Sequence, residues 1–152
     1  MKGEVKDIQV QGVNLADSKF AAGQASIQPF GFDLTAGYVY YKAKDDGLSL
    51  SSFEDNGAFI SAGEILATYS IYTGRNDYWF ATAGYTIPGT GLRIGADYLN
   101  GKFNEEKADE VVGRIEYDYN SKLNLTGWYA HADWKDYDYK EDVMRIQATY
   151  KF

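Results

Sequence analysis

Residues 143–152, Val143-Met144-Arg145-Ile146-Gln147-Ala148-Thr149-Tyr150-Lys151-Phe152, alternate without a break. Side chains on a β-strand point to opposite faces with period two. Met144, Ile146, Ala148, Tyr150 and Phe152 therefore share one face, and Arg145, Gln147, Thr149 and Lys151 share the other. Few folds accept such a strand. It needs an apolar environment on one side and a wet or charged one on the other.

The same pattern recurs along the chain. Phe32, Leu34, Ala36, Tyr38 and Tyr40 fall on one face, as do Trp79, Ala81, Ala83, Tyr85 and Ile87. Leu92, Ile94, Ala96 and Tyr98 oppose Arg93, Gly95 and Asp97. Val111, Gly113, Ile115, Tyr117 and Tyr119 oppose Val112, Arg114, Glu116 and Asp118. Leu123, Leu125, Gly127 and Tyr129 oppose Asn124, Thr126 and Trp128. Helical periodicity is nearly absent. The N-terminal half predicts further strands near 4–14, 20–28, 32–42 and 65–73, and a weak one over 49–60 that brings the total to about ten, an even count. Reading 49–60 as a loop folded inward leaves nine, which is hard to close.

Turn signals separate these segments. Short turns are expected at Pro29-Phe30-Gly31, Pro88-Gly89-Thr90-Gly91 and Asn120-Ser121-Lys122. Longer polar loops are expected near 43–48, 73–77, 100–109 and 133–141. Alternating short and long connections fit an up-and-down barrel with tight turns at one end and outer loops at the other. No linker divides the chain, so residues 1–152 read as one domain.

Composition narrows the setting. The mean hydropathy is −0.44, and no run of about 20 apolar residues exists for a spanning helix. A membrane barrel tolerates such values, because half of each strand faces water. Fourteen tyrosines suit an interface that is apolar on one side and wet on the other. The chain has no cysteine, so disulfides and thiolate metal sites are absent. The net charge of −7 and the lack of a basic face argue against nucleic acid as a partner. Met1-Lys2-Gly3-Glu4-Val5-Lys6 is no signal peptide, so an exported protein would have a processed or engineered start here.

The expected fold is all-β: an antiparallel up-and-down transmembrane β-barrel of about ten strands. At this point the residues resemble a family. Tyr85-Thr86-Ile87-Pro88-Gly89-Thr90-Gly91-Leu92-Arg93-Ile94-Gly95-Ala96-Asp97-Tyr98 resembles the strand–turn–strand hairpins of OprD-type and related major outer-membrane porins. Ile115-Glu116-Tyr117-Asp118-Tyr119-Asn120-Ser121-Lys122-Leu123-Asn124-Leu125 is similar to their penultimate short turn. The terminal Tyr150-Lys151-Phe152 resembles the signal read by their assembly machinery, which implies that role for Tyr150 and Phe152. The resemblance covers about the last 120 residues. It implies the bacterial outer membrane and passive diffusion of ions and small hydrophilic solutes. Its partners would be outer-membrane lipid and the barrel-assembly machinery, with a homo-oligomer left open. Porins of this kind resemble barrels of sixteen or eighteen strands, more than this chain supplies, which implies a C-terminal part of a larger barrel or a shortened one.

Candidate residues follow from the charged faces. Arg93, Asp97, Arg114, Glu116, Asp118 and Arg145 would face the lumen. In an open pore they would select ions by charge, and in a plugged barrel they would pair and fill it. His131 with Asp133 matches the chemistry of a proteolytic barrel, but a solvated strand end explains it better, and no Ser nucleophile with a base is visible. Asp133, Asp136, Asp138, Glu141 and Asp142, with Glu105, Glu106, Asp109 and Glu110, read as a solvated acidic rim rather than a cation site. Gly84, Gly89 and Gly91 flank a turn and form no phosphate loop. Tyr38, Tyr40, Tyr69, Tyr78, Trp79, Tyr98, Tyr119, Tyr129 and Trp134 read as interface girdles rather than a carbohydrate surface. The expectation is no enzyme, no cofactor and no metal. The alternatives are a small non-conducting barrel with an adhesive or structural role, and a soluble barrel carrying an apolar ligand.

Overall fold

The computed structural model describes residues 2–5, 9–10, 13–14, 18–43, 62–66 and 74–152. Its ordered elements are ten β-strands: β1 (Lys2–Val5), β2 (Gln9–Val10), β3 (Val13–Asn14), β4 (Ser18–Ile27), β5 (Phe32–Ala43), β6 (Gly74–Ile87), β7 (Leu92–Phe103), β8 (Glu106–Asp118), β9 (Leu123–Trp134) and β10 (Tyr139–Tyr150). Eight form one sheet in the order β1-β4-β5-β6-β7-β8-β9-β10, and β2 pairs with β3 apart from it. Every pairing is antiparallel and joins neighbours in the chain order of the sheet. This is an all-β, antiparallel up-and-down sheet. Among the described residues β1 pairs only with β4, and β10 only with β9.

The alternation read from the sequence positions the side chains. Cross-strand partners share a face, so the registers tie the strands together. Arg93 opposes Glu116, Ile94 opposes Ile115, and Gly95 opposes Arg114. One face is bare and apolar, with Ile94 46% exposed, Ile115 50% and Ile146 80%. The other is covered by residues 62–66, which lie outside any strand. Ala62 and Leu66 bury against Val39, Tyr41, Tyr78, Phe80, Leu99 and Phe103 on this covered face. The Tyr78 and Phe103 rings stack 4.7 Å apart.

Several expectations need correction. The strand over 4–14 is broken, and Val10 turns back onto Val13; Val5, Val10 and Val13 keep no common parity to hold one strand. Residues 65–66 are not the start of a strand, and 67–73 and 49–60 lie outside the described residues. Residues 74–77, expected in a loop over 73–77, belong to β6, which begins at Gly74, and residue 73 lies outside the described residues. Within β6 the buried Asn76 accepts from the Asn104 amide (2.8 Å).

The loops over 100–109 and 133–141 are mostly strand as well. The β7–β8 connection is only Asn104–Glu105, both at positive φ (53° and 72°), a primed two-residue hairpin turn. The β9–β10 connection is Lys135–Asp138. At the opposite end the three short turns stand where the sequence puts them. Pro88 and Gly89 fill the centre of one, with the Thr90 amide donating to Ile87 O (3.3 Å). The girdle also loses members. Tyr78 is 1% exposed on the covered face, and Trp134 meets Phe103 there. Adjacent residues such as Tyr78 and Trp79 cannot share a face. Tyr69 lies outside the described residues.

Candidate functional site

The covered face divides along the strands. Toward the β7–β8 and β9–β10 turns it is the apolar patch under residues 62–66. Toward the Pro88–Gly89 turn it is charged, and there the sheet brings together four of the residues singled out from the sequence. Arg93 on β7 reaches across β6 to Asp33 on β5, donating from Nη2 to Oδ1 (2.6 Å) and from Nε to Oδ2 (3.2 Å). Its Nη1 donates to Glu116 Oε1 (2.8 Å) on β8. The crossing needs a bare strand beneath it. A Cβ on Gly84 of β6 would lie 2.6 Å from both Asp33 carboxyl oxygens.

Arg114 organises the second cluster. Its Nη2 (2.6 Å) and Nε (2.9 Å) donate to Asp97 Oδ2, and Asp97 is 6% exposed. Nη1 donates to Glu64, and Nη2 also donates to Gly63 O (3.2 Å). Asp97 Oδ2 accepts the Gly63 amide in return (3.1 Å). Four residues back along β8, on the same face, Glu110 is fully buried. Its carboxylate accepts three successive amides: Glu64 (2.6 Å), Ile65 (2.9 Å) and Leu66 (2.8 Å). Such bonds to an ionised acceptor are roughly twice as strong as neutral ones. Gly63 has φ 78°, and a Cβ there would sit 2.8 Å from Glu110 Oε2 and 2.9 Å from Leu99. Only glycine fits this approach.

A polar recess of about 210 Å³ opens between the clusters, lined by Thr82, Arg93, Gly95, Asp97, Arg114 and Glu116. The two guanidinium groups are paired with four carboxylates, those of Asp33, Glu64, Asp97 and Glu116. Asp118 stands apart near the Asn120 turn, accepting from Asn124 Nδ2 (2.9 Å). Arg145 lies on β10 opposite Trp128, on the same face, and makes no ion pair with a described residue. Tyr150 and Phe152 meet edge to face at 5.2 Å, both exposed.

Sequence reasoning missed Asp33, Gly63, Glu64 and Glu110 as members of this site. Glu110 has the parity of Arg114 and Glu116, so counting back along β8 places it on their face. Nothing local marks Gly63 or Glu64, which join the site through contacts with β7 and β8.

The remaining candidates fall elsewhere. His131 is on the bare face, where Nδ1 meets Asp142 Oδ1 (2.8 Å) and the Tyr129 hydroxyl donates to the same oxygen. Asp133 is bridged to Asp109 by Lys135 Nζ (2.6 and 2.7 Å). These contacts hold Lys135 more firmly protonated than a free lysine, Asp109 and then Asp133 being the causes. At the same turn the Lys107 amide donates to Asp136 Oδ2 (2.8 Å) and lowers its pKa. Glu106 accepts from the Tyr137 hydroxyl (3.0 Å) and raises that pKa. Among the described residues, no three His, Asp or Glu side chains are grouped to hold a metal ion.

Comparison with known proteins fits this geometry. No curated protein matches the chain. A family model described as Campylobacter major outer membrane protein matches residues 4–152, nearly the whole chain. That match identifies a porin family, whose members are not in general enzymes, and it does not single out the OprD type. The chain therefore belongs to the Campylobacter major outer membrane protein family, a porin family of the bacterial outer membrane.

Proposed function

We propose that this chain lines a channel for passive diffusion of ions and small hydrophilic solutes, with its covered face toward the lumen and its bare face toward lipid. The observation that carries the reading is the division of charge between the faces. Arg93 with Asp33 and Glu116, and Arg114 with Asp97, form two neighbouring ion-paired clusters on one side. Ile94, Ile115 and Ile146 lie exposed on the other. A lipid-facing strand needs the second pattern, and a wet lumen tolerates the first. Exposed Tyr38, Trp79 and Tyr129 toward one end of the bare face, and Phe32, Tyr117 and Tyr119 toward the other, suit the two bilayer interfaces. This arrangement speaks against a soluble barrel with its apolar faces inward.

The excess of carboxylates on the covered face favours cations, as does the overall charge of −7. The arginines oppose this, so the preference is weak. Reversal potential across a planar bilayer under a salt gradient tests it. A cation-selective sign that fades as salt rises supports the reading, because such attraction is screened over about 8–10 Å at physiological salt. An anion-selective sign refutes it. The OprD type is a narrower proposal, carried only by the hairpin resemblance at 85–98 and 115–125. So is recognition of Tyr150 and Phe152 by assembly machinery.

One observation favours the second reading, a closed barrel with an adhesive or structural role. Residues 62–66 seal the apolar half of the covered face, where Leu66, Leu99 and Phe103 have no exposure. Folded protein that inserts but passes no current would establish that reading instead.

A further inference from the structure

We infer that Glu110 and Arg114 are positioning residues that hold segment 62–66 across the lumen wall, so that one anchor sets both the width of the passage and its charge. The inference rests on the channel reading for its consequence, but not for the anchor itself.

Three features separate this contact from a loop resting on a wall. The segment presents its backbone to β8: three consecutive amides point at one carboxylate, which has no exposure of its own. An unpaired carboxylate at that depth would be strongly unfavourable, so the wall position and the segment need each other. The second feature is reciprocity. Gly63 donates to Asp97 and accepts from Arg114, while Arg114 also bonds Asp97, closing a ring of contacts between segment and wall. The third is fit, since the Gly63 backbone passes so close to Glu110 and Leu99 that a side chain has no room.

The consequence for selectivity comes from Glu64. Its carboxylate neutralises Arg114 only while the segment is docked. Release carries Glu64 away from the wall and leaves Arg114 with Asp97 alone. Widening and loss of local negative charge therefore occur together. A released segment gives a larger conductance and a smaller cation preference, which a fixed wall would keep independent.

The chain has no cysteine, so a single introduced thiol reports cleanly. Ala62 is 2% exposed in the docked segment, and Ala62→Cys is the probe. In folded protein in detergent micelles, modification by a water-soluble maleimide is expected to be slow. Adding Glu110→Gln should speed it by about tenfold or more, the equivalent of one charge-assisted hydrogen bond lost. Gly63→Ala, which alters the segment and leaves β8 intact, should do the same, and strand content by circular dichroism should stay unchanged in both. Glu110→Asp, which keeps the charge, should restore part of the protection. Equal rates in all these proteins overturn the anchor. In planar bilayers Glu110→Gln should raise conductance and move the reversal potential toward anions. Fast labelling with unchanged conductance and reversal potential overturns the claim that the anchor sets the passage. A wild type that passes no current removes the channel reading, while the labelling rates still decide the anchor.

Discussion

Placing arginine at two positions on neighbouring strands separates the two faces of the sheet. Ile115 on β8 is 50% exposed on the bare face, opposite Ile94 on one side and Gly127 on the other. Thr126 on β9 is on the covered face opposite Glu116. Arginine on the lipid face costs roughly 2–4 kcal/mol at the bilayer midplane and about 0–1 near an interface. Ile115 lies between the interfacial rows, with Tyr117 two residues toward one of them, so Ile115→Arg should cost about 2 kcal/mol. Thr126→Arg puts a guanidinium on the covered face beside the Glu116 carboxylate. A cross-strand pair of opposite charge contributes roughly 0.2–1 kcal/mol. That substitution should be neutral or mildly stabilising. The assay is reversible unfolding by guanidinium chloride from short-chain phosphatidylcholine vesicles, read by tryptophan fluorescence. Equal losses, or a greater loss for Thr126→Arg, would refute the assignment of the faces.

Glu105 holds a left-handed conformation at φ 72° in the two-residue β7–β8 turn. Glu105→Gly should stabilise the fold by about 0.5–1 kcal/mol, the relief of that conformation less the added chain entropy of glycine; a lower denaturation midpoint would contradict this. Gly84→Ala should cost about 1–3 kcal/mol, because its Cβ enters the crossing between Arg93 and Asp33, and a neutral result in the same titration counts against that crossing. Asp136 has a lowered pKa from the Lys107 amide. Its contribution is present above the ordinary carboxylate value and lost as pH falls through the lowered folded value. Hydrogen exchange at the Lys107 amide should therefore lose protection on acidification below the ordinary aspartate range, after allowance for the intrinsic rate, and Asp136→Asn should remove that step. An acid step that survives the substitution assigns it to another group.

The long strands were legible because their side chains alternate between apolar and polar with a period of two. β5, β7, β8 and β9 lie close to where Phe32–Tyr40, Leu92–Tyr98, Val111–Tyr119 and Leu123–Tyr129 alternate. The same logic failed where charge density imitated a loop. Residues 100–109 and 133–141 carry so many charges that they read as solvated connections. In the structure Glu110 is buried under three amides, and Asp133 and Asp109 share Lys135. A local window does not reveal a partner lying 44 to 46 positions away. Segment 62–66 was illegible for the same reason, since its conformation is set by β7 and β8 rather than by its own pattern. Of the strands expected at 49–60 and 65–73, residues 49–60 and 67–73 lie outside the described residues. Among the described residues the sheet takes its N-terminal edge from a strand of four residues, Lys2–Val5.

The central claim is that the charged face lines a conducting passage. The most direct test is the single-channel current of Thr126→Cys before and after a positively charged methanethiosulfonate reagent, with Ile115→Cys as its opposite-face counterpart. The chain has no native cysteine to confuse the reading. The account predicts a stepwise fall in cation current on modification at position 126 and no change at 115. No current from either folded protein, or a current altered only through position 115, would contradict it.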